Sequence, residues 1–265
     1  MIGFIGVGNM GGTLARAAIR AVGAENVLVS SRTLEKAQRF AADTGCTAVM
    51  NTETAARAQV LFLGVKPQGM RSMLAKIASV LQARSDRFVL VSMAAGLSLQ
   101  QIADFSGGAY PILRIMPNTP AAVGEGMIPY CANELASSED AAELCRILQP
   151  AGRLDPLPEH LIDAAGALSG CGPAFVYVFL EALADAAVAC GMPRDKAIQY
   201  AAQTALGSAK LVLQTGTHPA ALKDAVCSPA GSTIRGVHAL EAGGFRAAAE
   251  NAVLAAYERS MELGK

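Results

Sequence analysis

Two short segments of the 265-residue chain combine residue types and spacings that point to chemistry. Near the start, Gly6-Val7-Gly8-Asn9-Met10-Gly11 has the form G-x-G-x-x-G. In that pattern the first glycine permits a tight turn and the second lets the backbone approach a pyrophosphate. The third lets a helix lie close to the preceding strand, so that the phosphates meet the helix N-terminus. The pattern is weak by itself. Here an apolar run precedes it, a helical pattern over 10–22 follows, and a second apolar run comes at the spacing a βαβ unit requires, so a dinucleotide site is expected. The other segment is Cys227-Ser228-Pro229-Ala230-Gly231-Ser232-Thr233-Ile234. Pro and Gly break one helix there, and Ser232-Thr233 open the next with hydroxyls and free backbone N–H groups. Such a helix start can hold a carboxylate with no lysine or arginine, although a plain N-cap is the simpler use of the same residues.

The end of the second apolar run selects the dinucleotide. NAD-type sites place an Asp or Glu there to accept from the ribose hydroxyls, whereas Ser30-Ser31-Arg32-Thr33 offers hydroxyls and a guanidinium, which suit a 2′-phosphate. NADPH is therefore expected, with NADH as the lesser alternative. Val65-Lys66-Pro67 and Met93-Ala94-Ala95-Gly96 end two further apolar runs and would lie in the crevice outside the strands' carboxyl ends. Lys66 reads as a cofactor contact rather than a catalytic cation. His160, His218 and His238 stand far apart without ligand spacing, and none of the six cysteines has a neighbouring base, so neither a metal site nor a thiol nucleophile is expected.

The elements that must position these residues fall into two halves. Candidate strands are 2–6, 26–30, 60–65, 88–92, 112–116 and 127–131, and several are apolar without alternation, as in Val60-Leu61-Phe62-Leu63. That is the pattern of a parallel sheet covered on both faces, a doubly wound α/β fold of the Rossmann type. After residue 158 the strand signals stop, and helical patterns follow at 173–190, 194–214, 219–226, 232–241 and 245–262, punctuated by Pro and Gly. The expected organisation is a dinucleotide-binding Rossmann domain over 1–158 and an all-helical dimerisation and substrate domain over 159–265. On the helix from 173, Val176, Phe179, Leu180, Leu183 and Val188 cover more than one stripe, so a second subunit is expected to supply part of the covering. The window 171–191 approaches a membrane span in length and apolarity, but Glu181 and Asp185 sit inside it, and it reads as a buried helix of a soluble protein.

Composition narrows the class further. With 22 Lys+Arg against 22 Asp+Glu there is no electrostatic footprint for nucleic acid or an anionic membrane. The cysteines form no CxxC pair and suit a reducing cytoplasm. The first apolar run leads at once into the glycine motif, leaving no expected targeting segment.

Taken together, the motifs resemble those of the pyrroline-5-carboxylate reductase family almost end to end. The resemblance runs in order through Ile5–Gly11, Val65-Lys66-Pro67-Gln68, Met116-Pro117-Asn118-Thr119-Pro120, Leu168-Ser169-Gly170-Cys171-Gly172-Pro173-Ala174, Glu181–Ala186 and Ser228–Ile234, the last being the most specific. It departs at Ala230, where the family commonly has Gly, at Ser232, where Thr is frequent, and at Cys171, where Ser is usual; the first is expected to stiffen the substrate loop. The resemblance implies an oxidoreductase of proline biosynthesis that reduces L-1-pyrroline-5-carboxylate to L-proline by hydride transfer to the imine carbon. It implies that the Thr233 hydroxyl contacts the ring nitrogen and that Ser228 with the Gly231, Ser232 and Thr233 amides holds the carboxylate. Ser31, Arg32 and Asn51 are implied near the adenosine end, and Met93, Ala94 and Ala95 along the nicotinamide half. The implied partner is a second copy, in a homodimer through the helical domain that either stands alone or belongs to a ring of dimers. The nearest rival, a β-hydroxyacid dehydrogenase or imine reductase of the same plan, would in its hydroxyacid form place a lysine where Val176 stands. A non-catalytic NADP-binding sensor is the alternative from another class.

Overall fold

Continuous apolar runs become strands where both faces of a sheet are covered, and the computed structural model, which describes residues 1–263, follows that rule closely. Strands β1 (Ile2–Ile5), β2 (Val27–Ser30), β4 (Val60–Leu63), β5 (Val89–Ser92) and β6 (Ile112–Ile115) are buried at every position. With β3 (Thr47–Ala48), β7 (Gly126–Ala132) and β8 (Gly152–Pro156) they form one sheet in the order β3-β2-β1-β4-β5-β6-β7-β8. Neighbours run parallel except β6 and β7, which are antiparallel. The first six strands have the order 3-2-1-4-5-6 of the doubly wound dinucleotide-binding fold.

Alternation along the central strands divides the core into two layers. Phe4 and Phe62 stand opposite each other in the β1–β4 register, stack at 4.4 Å, and join Leu14, Val29, Val91 and Ile147 on one face. Ile5, Leu61, Leu63 and Leu90 point to the other face, against Met70, Leu74 and Ile77. The first layer is roofed by α1 (Asn9–Val22) and α6 (Ser138–Leu148). The second is roofed by α3 (Asn51–Arg57), α4 (Pro67–Gln82), α5 (Leu99–Ser106) and α7 (Glu159–Ala165), while α2 (Leu34–Thr44) covers the sheet through Ala37. Each large apolar side chain so buried contributes roughly 1.5–3 kcal/mol.

Two strands have no apolar run to announce them. β3 is two residues long and partly exposed, and β8, at the outer edge of the sheet, has only exposed and half-buried residues. Edge strands are covered less, so their sequences need not be apolar.

The chain forms two compact units, Met1–Cys171 together with the end of the chain from Ala256, and Gly172–Ala255. By contacts, α7 and the π-helical turn Gly166–Gly170 that follows it go with the sheet. In the second part, α8 (Gly172–Ala189), α9 (Arg194–Thr215), α10 (Pro219–Ala225), α11 (Ser232–Ala242) and α12 (Phe245–Leu263) match the helical patterns to within a residue at each end. α8 and α9 pack along each other, Arg194 pairs with Asp185, and Phe179 meets Phe245 at 5.5 Å.

The expected burial of the helix from 173 does not hold within the single chain. Of α8 only Ala184 is buried. The helical run Glu159–Ala189 is long and apolar enough to cross a membrane, with 11% of its most apolar window buried. The reason is geometric: the few helices of this unit cannot surround a helix that is apolar on most sides.

Candidate active site

The glycines of the first motif behave differently from one another, and the differences define a cradle. Gly6 follows β1 with φ at +103°, a conformation open to glycine. A Cβ on Gly6 would lie 2.4 Å from the Gly64 carbonyl oxygen, and one on Gly11 would lie 2.0 Å from that of Gly6. At Gly8 a Cβ would meet nothing within 4 Å. Gly6 and Gly11 therefore let backbone pack on backbone, while Gly8 leaves open space at the start of α1, which is where a pyrophosphate needs it. Gly8 is also the N-cap of α1 and supplies no side-chain cap, so the first amides of that helix are free of protein side-chain partners. Val7 is buried in the core and can contribute only backbone, whereas Asn9 is exposed and Met10 half-buried.

The remaining dinucleotide candidates lie along the same carboxyl edge of the sheet. Ser31 and Arg32 follow β2; Arg32 is exposed, and among the described residues no carboxylate pairs with it. Asn51 opens α3 just after β3, and its Oδ1 is buried without a hydrogen-bond partner, an acceptor the chain itself leaves unused. Val65, Lys66 and Pro67 follow β4, with Lys66 exposed at the N-cap of α4 and Pro67 at its first position. Met93, Ala94 and Ala95 follow β5; Ala94 is buried and its N–H donates to Ser92 Oγ at 3.4 Å, while Ala95 is exposed.

Three residues that support this edge are missing from the sequence-based candidates. Gly64, directly after β4, would place a Cβ 2.4 Å from the Gly6 carbonyl oxygen, so the turns after β1 and β4 each require glycine of the other. Asn118 is spent on structure: its Nδ2 donates to the Ser169 carbonyl at 2.9 Å and its Oδ1 accepts from Met127 N–H at 3.0 Å. Arg114, on β6, has a side chain only 3% exposed and pairs with Asp163 at 2.5 Å and Glu159 at 3.6 Å. Glu159 Oε1 also accepts the Leu99 N–H at 2.6 Å, so the cluster joins α7 to β6 and to the start of α5.

Two of the thiols, Cys46 and Cys131, are buried and placed for packing. Burial first, with Glu159 adding to it against the opposing Arg114, pushes the Cys131 thiol up to about 11, and burial likewise raises Cys46. Both stay protonated at neutral pH and are poor nucleophiles. Among the described residues no group of three or more His, Cys, Asp or Glu side chains could hold a metal ion.

In the helical unit, Ser228, Pro229, Ala230 and Gly231 form a turn in which the Gly231 N–H donates to the Ser228 carbonyl at 3.1 Å. A Cβ on Gly231 would lie 2.6 Å from Ser228 Oγ, so the serine hydroxyl sits against this glycine. Gly231 is the N-cap of α11, and no side chain caps the helix. The plain N-cap use of Ser232 and Thr233 is thereby absent: both are exposed and lie inside the first turn, beside amides with no side-chain partner. Ser228, Gly231, Ser232 and Thr233 come together on one turn with the composition of a carboxylate cradle. Ala230 has φ at +59° and is the one non-glycine residue with positive φ among the described residues.

Comparison with known proteins adds to this geometry. Residues 159–263 match the family described as pyrroline-5-carboxylate reductase dimerisation, and residues 1–96 match the family described as NADP oxidoreductase coenzyme F420-dependent. Pyrroline-5-carboxylate reductase of Escherichia coli is 42% identical over 267 residues, covering 100% of this chain and 98% of the relative. Pyrroline-5-carboxylate reductase 3 of Rattus norvegicus is 42% identical over 267 residues, covering 100% and 96%. Among solved structures, pyrroline carboxylate reductase of Plasmodium falciparum with NADP bound superposes with a TM-score of 0.88 at 33% identity, covering 100% of this chain and 98% of that one.

Proposed function

The chain belongs to the pyrroline-5-carboxylate reductase family, and from that premise we propose that it reduces L-1-pyrroline-5-carboxylate to L-proline with NADPH. The observation that carries the reading is the α11 start, where the family's most specific motif forms a turn with exposed hydroxyls and uncapped amides. The cofactor cradle fits the group it would hold. Gly8 leaves room for a pyrophosphate, Arg32 and Ser31 suit a 2′-phosphate, and the orphaned Asn51 Oδ1 suits a donor at the adenosine end. Gly6, Val7, Asn9, Met10 and Gly11 bind through backbone at the α1 start, while Val65, Lys66, Pro67, Met93, Ala94 and Ala95 line the nicotinamide half. NADH is the weaker cofactor, since no carboxylate stands at the end of β2 to accept from a ribose 2′-hydroxyl. When bound, the reduced nicotinamide supplies a hydride to the imine carbon.

The protein's own residues then have two tasks. Ser228 and the amides of Ser232 and Thr233 hold the substrate carboxylate at the positive end of the α11 dipole, whereas the Gly231 N–H, implied as a third donor, is spent on the Ser228 carbonyl at 3.1 Å. The Thr233 hydroxyl bonds the ring nitrogen, which becomes a secondary amine as the hydride arrives. An iminium is already electrophilic, so positioning and one directed hydrogen bond suffice, without a strong acid or a metal.

We assign the dinucleotide-binding role to residues 1–158 and the dimerisation and substrate roles to the chain from 159, where the dimerisation family match begins. The helical part pairs with a second copy. Val178 and Leu213, 67% and 74% exposed, are apolar residues of α8 and α9 that such a partner would cover. The apolar run through α8 faces that partner rather than a lipid bilayer, in keeping with Glu181 and Asp185 inside it. A soluble, cytoplasmic enzyme is the corresponding reading, with its six cysteines as thiols.

The direct test offers the purified chain NADPH with pyrroline-5-carboxylate or a 2-ketoacid, and NADP⁺ with a 3-hydroxyacid. Turnover with the imine alone is expected. Turnover of the ketoacid or hydroxyacid without the imine would move the chain to the hydroxyacid dehydrogenase reading.

A further inference from the structure

The turn before α11 has the marks of a type II β-turn: proline at its second position, positive φ at its third, and the Ser228 carbonyl accepting from the Gly231 N–H. The third position of that turn favours glycine, because a Cβ there crowds the following carbonyl oxygen. Here it is Ala230. From sequence, alanine in place of glycine is expected to stiffen this loop; with φ at +59° it strains it instead.

The neighbours cannot absorb that strain. The Pro229 ring fixes its own φ. A Cβ at Gly231 would strike Ser228 Oγ, so Gly231 and Ser228 are already in close contact. Gly231 is also fixed as the N-cap of α11. The same four residues have one accessible alternative, a type I turn, which keeps proline at the second position and gives the third a negative φ that alanine adopts freely. The two turns differ by a flip of the Pro229–Ala230 peptide, which exchanges the Ala230 N–H for the Pro229 carbonyl on a given face of the turn. Only the N–H suits a neighbouring carboxylate.

We propose that Ala230 is a positioning residue that sets substrate affinity, by bringing the left-handed turn close in energy to its peptide-flipped alternative. The proposal rests on the reading of this segment as the carboxylate cradle. With glycine the left-handed turn dominates; with alanine part of the population occupies the flipped turn, and apparent affinity falls by the competent fraction. The Ala230 methyl is exposed in the chain, so its removal leaves no cavity.

The test compares the unaltered enzyme with Ala230→Gly and Ala230→Val, measuring KM for pyrroline-5-carboxylate, kcat, and NADPH affinity by fluorescence titration. Ala230→Gly is expected to lower KM by about two- to tenfold with NADPH affinity unmoved. Ala230→Val, whose branched side chain tolerates positive φ least, is expected to raise KM. An unchanged or higher KM in the glycine variant overturns the proposal, as does a shift shared equally by NADPH affinity. Failure of the unaltered enzyme to turn over the imine overturns the functional reading and the proposal with it.

Discussion

In the sheet unit every residue of β1, β2, β4, β5 and β6 is buried, whereas in α8 and α9 together only Ala184, Ala197 and Ala201 are. Both regions are rich in apolar side chains, so composition alone does not separate them. The sheet unit closes its core in two layers around residues such as Phe4, Phe62, Leu63 and Leu74, and its ligand edge is built from turns that need no second chain. The helical unit buries small alanines and leaves Val178, Leu206 and Leu213 exposed, so within the single chain it closes no comparable core, and the proposed association with a second copy would complete it. The difference extends to chemistry. The proposed cofactor edge is held by backbone packing at Gly6, Gly11 and Gly64, while the proposed substrate turn sits on an exposed helix start with a strained alanine.

A charge on the exposed helical face tests that contrast most severely. Val178→Asp enters a symmetric contact twice and is expected to weaken dimerisation by about 4 kcal/mol or more. Light scattering should find monomers without imine turnover, whereas an intact, active dimer would remove α8 from the interface. In the sheet unit the comparable lesion is internal. Arg114→Met strands Asp163 and Glu159 without their buried cation, and the expected loss of stability is about 2–4 kcal/mol, discounted because both carboxylates are partly exposed. Denaturant titration measures it, and a loss below about 1 kcal/mol would reduce the cluster to a surface ion pair. A smaller effect is expected at the adenosine end, where Arg32→Glu should weaken NADPH binding roughly 10- to 100-fold. Equal NADPH affinity with NADH measured alongside would leave Arg32 a solvated loop residue.

Much of the architecture is legible in the residues, and the parts that are not have physical reasons. The five helices after residue 171 announce themselves by periodicity bounded by Pro and Gly, and each is found within a residue of its expected ends. β3 and β8 leave no such mark, since short or half-exposed edge strands carry no apolar run. Gly64 looks ordinary in sequence, and its need for glycine arises only when parallel pairing of β1 and β4 sets it against Gly6. Arg114 breaks the apolar run of β6 with a charge, a signal that its partners lie inside the fold, but Asp163 and Glu159 are too distant in sequence to be named beforehand. The strain at Ala230 belongs to a φ angle, which no composition discloses.

The central claim is that cofactor binding resides on the sheet edge and imine chemistry at the start of α11. Thr233→Ala tests it most directly, with kcat/KM for pyrroline-5-carboxylate and NADPH affinity measured on one preparation. The account predicts a fall in kcat/KM of about 10- to 1,000-fold, the scale for one hydrogen-bond donor to a transition state, with NADPH affinity unchanged. Undiminished turnover, or a parallel collapse of both quantities, would contradict it.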